Sequence, residues 1–180
     1  MAYQSTRNNK LRVSCTDVIK HGIAPEGGLF VPVDMPALDN SSLLKMIDMD
    51  YRQRAAYILS NFLDDFSYEE IKQCVNSAYR NDNFDNIDIA PVVRLSEQMF
   101  FLELWHGPTC AFKDMALQLL PYMMTTALKK TNEDKKVVVL VATSGDTGKA
   151  ALEGFKDVDG TSIIVFYPKY GVSKIQRTQM

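Results

Sequence analysis

The segment from Val137 to Phe166 most narrows the folds open to this chain. Six consecutive apolar residues, Val137-Val138-Val139-Leu140-Val141-Ala142, are mostly β-branched and read as a strand buried on both faces. A loop of small residues follows, Thr143-Ser144-Gly145-Asp146-Thr147-Gly148, then a helix over 148–157. A second strand, Ser162-Ile163-Ile164-Val165-Phe166, completes a βαβ unit. Such crossovers are right-handed in nearly all cases and leave the two strands parallel. A parallel sheet is buried under helices on both faces, so an α/β domain of three layers is expected. The N–H groups at the helix start have no intrahelical partner and point at whatever anion sits there. Gly145 and Gly148 allow close backbone approach, and Ser144 and Thr147 add hydroxyls.

A second junction of the same kind precedes this one. The apolar run Met99-Phe100-Phe101-Leu102-Glu103-Leu104-Trp105 leads into His106-Gly107-Pro108-Thr109-Cys110-Ala111-Phe112-Lys113-Asp114, and a helix runs on through Leu120. Gly107 and Pro108 mark the turn between strand and helix. A lysine at such a place is ordinarily a solvated surface charge. Lys113, however, is flanked by Ala111, Phe112 and Met115, an apolar setting that can strip water from an amine and leave it free as a nucleophile toward a carbonyl cofactor.

The first 90 residues read as mainly helical. Ser14-Cys15-Thr16-Asp17 fits a capping box opening a short helix that Gly22 closes, and Gly27-Gly28 turns the chain into a short strand, Leu29-Phe30-Val31. Leu43, Leu44, Ile47, Tyr51, Ala55, Ile58, Leu59 and Phe62 recur at helical spacing from Ser42 to about Asp64. Ser67-Tyr68-Glu69-Glu70 is a second capping box. At Pro91 the pattern changes to two strands, 92–95 and 99–105, expected to pair antiparallel. Pro121 is expected to kink the helix that follows the lysine. A division into 1–90, mainly helical, and 91–180, the α/β part, follows.

With a net charge of −2 the chain carries no basic field that would draw nucleic acid. No apolar run approaches the ~20 residues of a membrane span, and residues 1–10 lack the apolar core of a secretory signal. Three widely spaced cysteines suit reduced thiols and a cytoplasmic location, and two histidines provide no zinc-binding spacing. Cys110 reads as a small core filler, and His106 either as a satisfied loop residue or as part of a cofactor pocket.

The two junctions resemble the threonine synthase branch of the fold-type-II pyridoxal-phosphate enzymes. His-Gly-Pro-Thr-x-Ala-Phe-Lys-Asp is similar to the cofactor-lysine motif of that family, and Ser-Gly-Asp-Thr-Gly to its substrate loop. Tyr3-Gln4-Ser5-Thr6-Arg7, Gly22 to Pro32, Tyr167-Pro168, Gly171-Val172-Ser173 and Ile175-Gln176 look like further family segments, so the resemblance runs over nearly all 180 residues. It implies a helical N-terminal subdomain followed by the first part of a three-layer parallel-sheet domain. The family's sheet continues further and its glycine-rich phosphate loop comes later, so an N-terminal portion of a longer enzyme, inactive by itself, is expected. The resemblance assigns pyridoxal phosphate to Lys113, with Phe112 and Asp146 beside the cofactor. It assigns the α-carboxylate of O-phosphohomoserine to Ser144, Gly145, Thr147 and Gly148, with Lys174 as a candidate for the substrate phosphate. Asp146 could instead cap the helix, and Lys174 could be a solvated charge.

Three other readings compete. A P-loop fails because Thr143 stands where the first glycine is required and Ala150 where Ser or Thr should meet magnesium. A threonine-synthase-like phospholyase would share Lys113 and release a keto acid. A non-catalytic module that self-associates through an unpaired sheet edge is the third.

Overall fold

The computed structural model describes residues 1–143 and 145–180; Ser144 lies outside the described residues. The chain divides into two compact units, Met1–Asn76 with Thr126–Asp134, and Ser77–Thr125 with Lys135–Met180.

In the first unit, β1 (Tyr3–Ser5) is the middle strand of an antiparallel sheet, between β2 (Asn8–Val13) and β3 (Phe30–Pro32). Tyr3 and Ser5 face the core, and the Tyr3 hydroxyl donates to the Phe62 carbonyl at 2.8 Å. The β1–β2 hairpin was not expected, because Asn8-Asn9-Lys10 shows no apolar alternation; β3 lies where a strand was. The expected helix after Ser14 is α1 (Cys15–His21): Asp17 N–H donates to Ser14 Oγ at 3.1 Å, and Gly22 closes it at φ 67°. The Cys15 thiol, pushed up to about 11 by burial and by its bond to the Asp65 carboxylate, stays a donor.

The long helix expected from Ser42 to Asp64 is two helices, α2 (Asn40–Met46) and α3 (Tyr51–Ser60). Asp50 breaks it. Its carboxylate accepts from Gln53 N–H at 2.8 Å, and Gln53 Oε1 accepts from Asp50 N–H at 2.9 Å, a reciprocal cap that begins a new helix. The Ser67–Glu70 capping box forms as expected and opens α4 (Tyr68–Ala78). From the 126–134 segment, Thr126 reaches Cys74 Sγ at 3.4 Å, and Lys130 pairs with Glu70 at 2.9 Å.

In the second unit, β4 (Val92–Arg94) and β5 (Phe100–Leu102) form the expected antiparallel pair. The helix after the lysine is interrupted into α5 (Asp114–Leu117) and α6 (Leu120–Lys130). Pro121 is the second residue of α6, so it starts a helix rather than kinking one. Lacking an N–H, it leaves the Leu117 carbonyl without its helical donor.

The βαβ unit is present: β6 (Val137–Ala142), α7 (Asp146–Phe155) and β7 (Thr161–Phe166), with β6 and β7 parallel and in register from Val137↔Thr161 to Ala142↔Phe166. A final helix, α8 (Lys174–Gln179), opens with a Ser173–Gln176 capping box. α7 packs on β7 and on α5, burying Ala150, Ala151 and Phe155. The strands are not buried on both faces as their composition suggested. Burial alternates along them, and Val138, Leu140, Ile164 and Phe166 are each about half or more exposed.

Candidate active site

Lys113 is the residue that caps the N-terminus of α5, in helical geometry (φ −65°, ψ −20°). The loop before it is held by the residue after it. Asp114 is wholly buried, and its carboxyl accepts from Thr109 N–H at 2.9 Å and from Thr109 Oγ1 at 2.7 Å. Gly107 lies so close to this side chain that a Cβ there would stand 2.6 Å from Asp114 Cβ. Cys110 turns the loop at φ 56°, and its N–H donates to Gly107 O at 3.0 Å. That turn places Cys110 at the surface, not in the core as its small size suggested. The lysine therefore leaves a loop whose backbone is fixed from inside.

The Lys113 side chain is half-buried, with Nζ 4.3 Å from the centroid of the Phe112 ring. Among the described residues it meets no carboxylate. Phe112 is itself 63% exposed, so the expected apolar enclosure is one-sided: Ala111 is buried beneath the loop while the aromatic ring lies open beside the amine. The helix behind is anchored by Tyr79, whose hydroxyl donates to Met115 O at 2.6 Å. His106 is a satisfied loop residue, with Nε2 2.7 Å from Glu103 Oε2 and Nδ1 2.5 Å from Asp85 Oδ1. These two acids, Glu103 first, raise its pKa above the ordinary imidazole value.

The second junction lies at the start of α7. Gly145 occupies the cap position and supplies no side-chain cap. Gly148 N–H and Lys149 N–H donate to Gly145 O at 3.1 and 3.4 Å, whereas the N–H groups of Asp146 and Thr147 have no acceptor among the described residues. Asp146 does not cap the helix; it is the first helical residue, with its side chain exposed. Gly148 is buried, and a Cβ there would meet Thr143 Cγ2 at 2.3 Å. Gly145 lies against α8, a Cβ there falling 2.8 Å from Gln176 Nε2. Lys174, in the first turn of α8, is exposed and pairs with no acid among the described residues. Ser144 falls outside the described residues.

The two junctions are tied through α5 and α7, where Gly154 packs on the Leu117 carbonyl that Pro121 leaves without its helical donor. The residues that do the tying, Thr109, Asp114 and Gly154, were not among the sequence-predicted site residues. Thr109 and Asp114, five apart just after the Gly107-Pro108 turn, were the available signal.

Residues 2–79 match the family described as "Threonine synthase N terminus". A threonine synthase of Methylobacillus glycogenes is 35% identical over all of this chain, which covers 39% of that protein. A threonine synthase-like 2 protein of Xenopus laevis is 37% identical, again over all of this chain and over 38% of its own length. The crystal structure of a PLP-bound threonine synthase from Brucella melitensis superposes with a TM-score of 0.91 at 34% identity, over 100% of this chain and 38% of that one. The chain thus spans about two fifths of the relatives it matches. Sequence and mixed α/β fold agree along the whole chain, which is similar to the N-terminal portion of threonine synthases.

Proposed function

We propose that this chain provides the cofactor-lysine part of a threonine synthase, which converts O-phosphohomoserine and water into threonine and phosphate. The observation that carries this reading is Lys113: an amine free of acidic partners among the described residues, on a loop fixed by the buried Asp114. Pyridoxal phosphate fits such a residue, and Lys113 would hold it covalently with Phe112 and Asp146 beside it. When bound, the cofactor supplies an electron sink for the bonding electrons of the substrate's α-carbon.

The chain's own residues account for three further tasks. Lys113, once displaced by the substrate amine, takes the proton from the α-carbon. The open N–H groups of Asp146 and Thr147, with Ser144 and the close approach allowed at Gly145 and Gly148, receive the α-carboxylate at the positive end of α7. Lys174, exposed and pairing with no acid among the described residues, would meet the phosphate of the substrate. A lyase acting on a carbon–oxygen bond to phosphate, in the cytoplasm, is the corresponding class. The half-exposed apolar face of β6 and β7 supports self-association of the chain as well.

The test is an absorbance titration of the chain with pyridoxal phosphate, run with light scattering, followed by borohydride reduction and peptide mapping. The expected result is a visible band and a reduced label on Lys113, both absent from Lys113→Ala. A label spread over surface lysines, or unchanged in the variant, refutes the assignment. Product analysis with O-phosphohomoserine separates threonine plus phosphate from the keto acid of a phospholyase.

A further inference from the structure

The loop that carries Lys113 is held at its inner end by Asp114, and at its outer end by a histidine set between two acids. His106 stands one residue before Gly107, which packs on Asp114. Its Nδ1 lies 2.5 Å from Asp85 Oδ1 and its Nε2 2.7 Å from Glu103 Oε2. The His106 carbonyl also accepts from Asp85 N–H at 3.0 Å, so main chain and ring together fasten the loop to the segment after α4. The titratable groups that face the ring are thus Asp85, from beyond α4, and Glu103, from beyond β5; the uncharged ring of Trp105 has its centroid 5.7 Å away.

An ionised carboxylate only accepts hydrogen bonds. A neutral imidazole has one N–H and can serve one of the two acids, while its other nitrogen sets a lone pair against a carboxylate oxygen. Only the imidazolium donates to both, so this arrangement requires the charged ring. When the proton leaves, one contact must open, and exposure decides which. The side chain of Asp85 is 76% exposed and that of Glu103 20%. Water takes over the Asp85 carboxylate at little cost, whereas Glu103 has less access to it.

We propose that His106 is a proton-operated positioning residue for the Lys113 loop. Charged, it bridges Asp85 and Glu103 and clasps the loop to the segment after α4. Neutral, it keeps Glu103 and releases the Asp85 carboxylate, leaving the main-chain bond between the two segments without the support of the ring. Both acids raise the imidazole pKa, so the clasp is closed below ~6.5 and opens as pH rises through the higher folded-state value. Its bearing on catalysis rests on the assignment of the cofactor to Lys113; the clasp itself is measured without cofactor, so the two can fail separately.

The test is amide hydrogen exchange by NMR on the full 180-residue chain across pH, each rate divided by its intrinsic value, with the His106 ring nitrogens followed in the same samples. Protection at Asp85, Thr109 and Cys110 should fall about two- to fivefold, the worth of an exposed ion pair, with the midpoint of the ring titration. Glu103→Gln should move the ring and protection midpoints down together. Asp85→Asn, at an exposed side chain where folding is not at risk, puts an amide opposite Nδ1 that can donate to the neutral ring. The loss of protection should then flatten while the ring still titrates. Protection unchanged through the ring titration, a protection midpoint that stays while Glu103→Gln moves the ring, or a step of full size in Asp85→Asn would overturn the proposal.

Discussion

Replacing Asp114 by alanine should loosen the loop that carries Lys113 and lower stability measurably. The carboxyl is fully buried and is the acceptor for two donors of Thr109, at 2.9 and 2.7 Å. Alanine strands both donors in the interior, about 1–3 kcal/mol each, so the gross loss is about 2–6 kcal/mol. Burying the carboxyl has its own desolvation cost, which alanine relieves, so the net should fall in the lower part, about 2–4 kcal/mol. Against a stability of about 5–15 kcal/mol for a domain, that is a large fraction. Urea unfolding measures it as a fall in midpoint at constant slope. Thr109→Val alone removes only the hydroxyl donor and should lose about 1–2 kcal/mol. The double variant should cost less than the sum of the two, by about 1 kcal/mol, because the hydroxyl is stranded only when its acceptor has gone. Hydrogen exchange should quicken at the amides of Thr109 and Cys110 before it does elsewhere. A loss under about 1 kcal/mol for Asp114→Ala, or strictly additive variants, would refute the claim that this pair fixes the loop.

Gly154→Ala should destabilise the chain by about 1–3 kcal/mol, although alanine is the better helix former by about 1 kcal/mol, because its Cβ would stand 2.1 Å from the Leu117 carbonyl oxygen, a backbone atom that cannot swing away. Urea unfolding decides it, and a stabilised variant contradicts the packing. His106 should titrate above ~6.5 in an NMR pH series, and Glu103→Gln should bring its midpoint down. Because the folded-state pKa is raised, the contribution of this bridge is full below the unfolded value and fades as pH rises through the folded one; a midpoint at or below ~6.5 removes it.

The parts of the fold legible in the sequence were those written in local chemistry. The Ser14 and Ser67 caps and Gly22 at the end of α1 each rest on residues within a few positions of one another, and the βαβ unit on three consecutive segments each with its own local pattern. Asp50 with Gln53 was legible on the same grounds, but the apolar periodicity running through it masked the signal. The β1–β2 hairpin could not be read this way, since its strands are fixed by pairing and by Tyr3 reaching Phe62, a partner 59 residues off. Exposure was also hidden. Val138 and Leu140 look like core from their type, yet whether a strand face is covered depends on elements outside the strand. At the site, Lys113 and the loop after β6 stood out because Gly and small residues mark strand-to-helix turns.

The arrangement of α7 shows how the second junction can be both open and firmly held. Gly148 and Gly154 lie inside a ten-residue helix, where each costs about 1 kcal/mol relative to alanine. Local propensity therefore argues against this helix, and packing must exceed it. Gly148 lets the first turn settle on Thr143 and Val165, and Gly154 lets the last turn settle on Leu117. A helix docked by its own backbone at both ends needs no large side chain at its N-terminus. The amides of Asp146 and Thr147 are consequently left without an acceptor among the described residues while their positions are set from below. The usual remedy for an open N-terminus, a Ser or Asp cap, would set a side-chain oxygen beside those donors; Gly145 at the cap position brings none. Here the sequence departs from what would best stabilise the helix at the place where the proposed function puts the substrate carboxylate, and a departure of that kind is expected of a functional site rather than of a structural one.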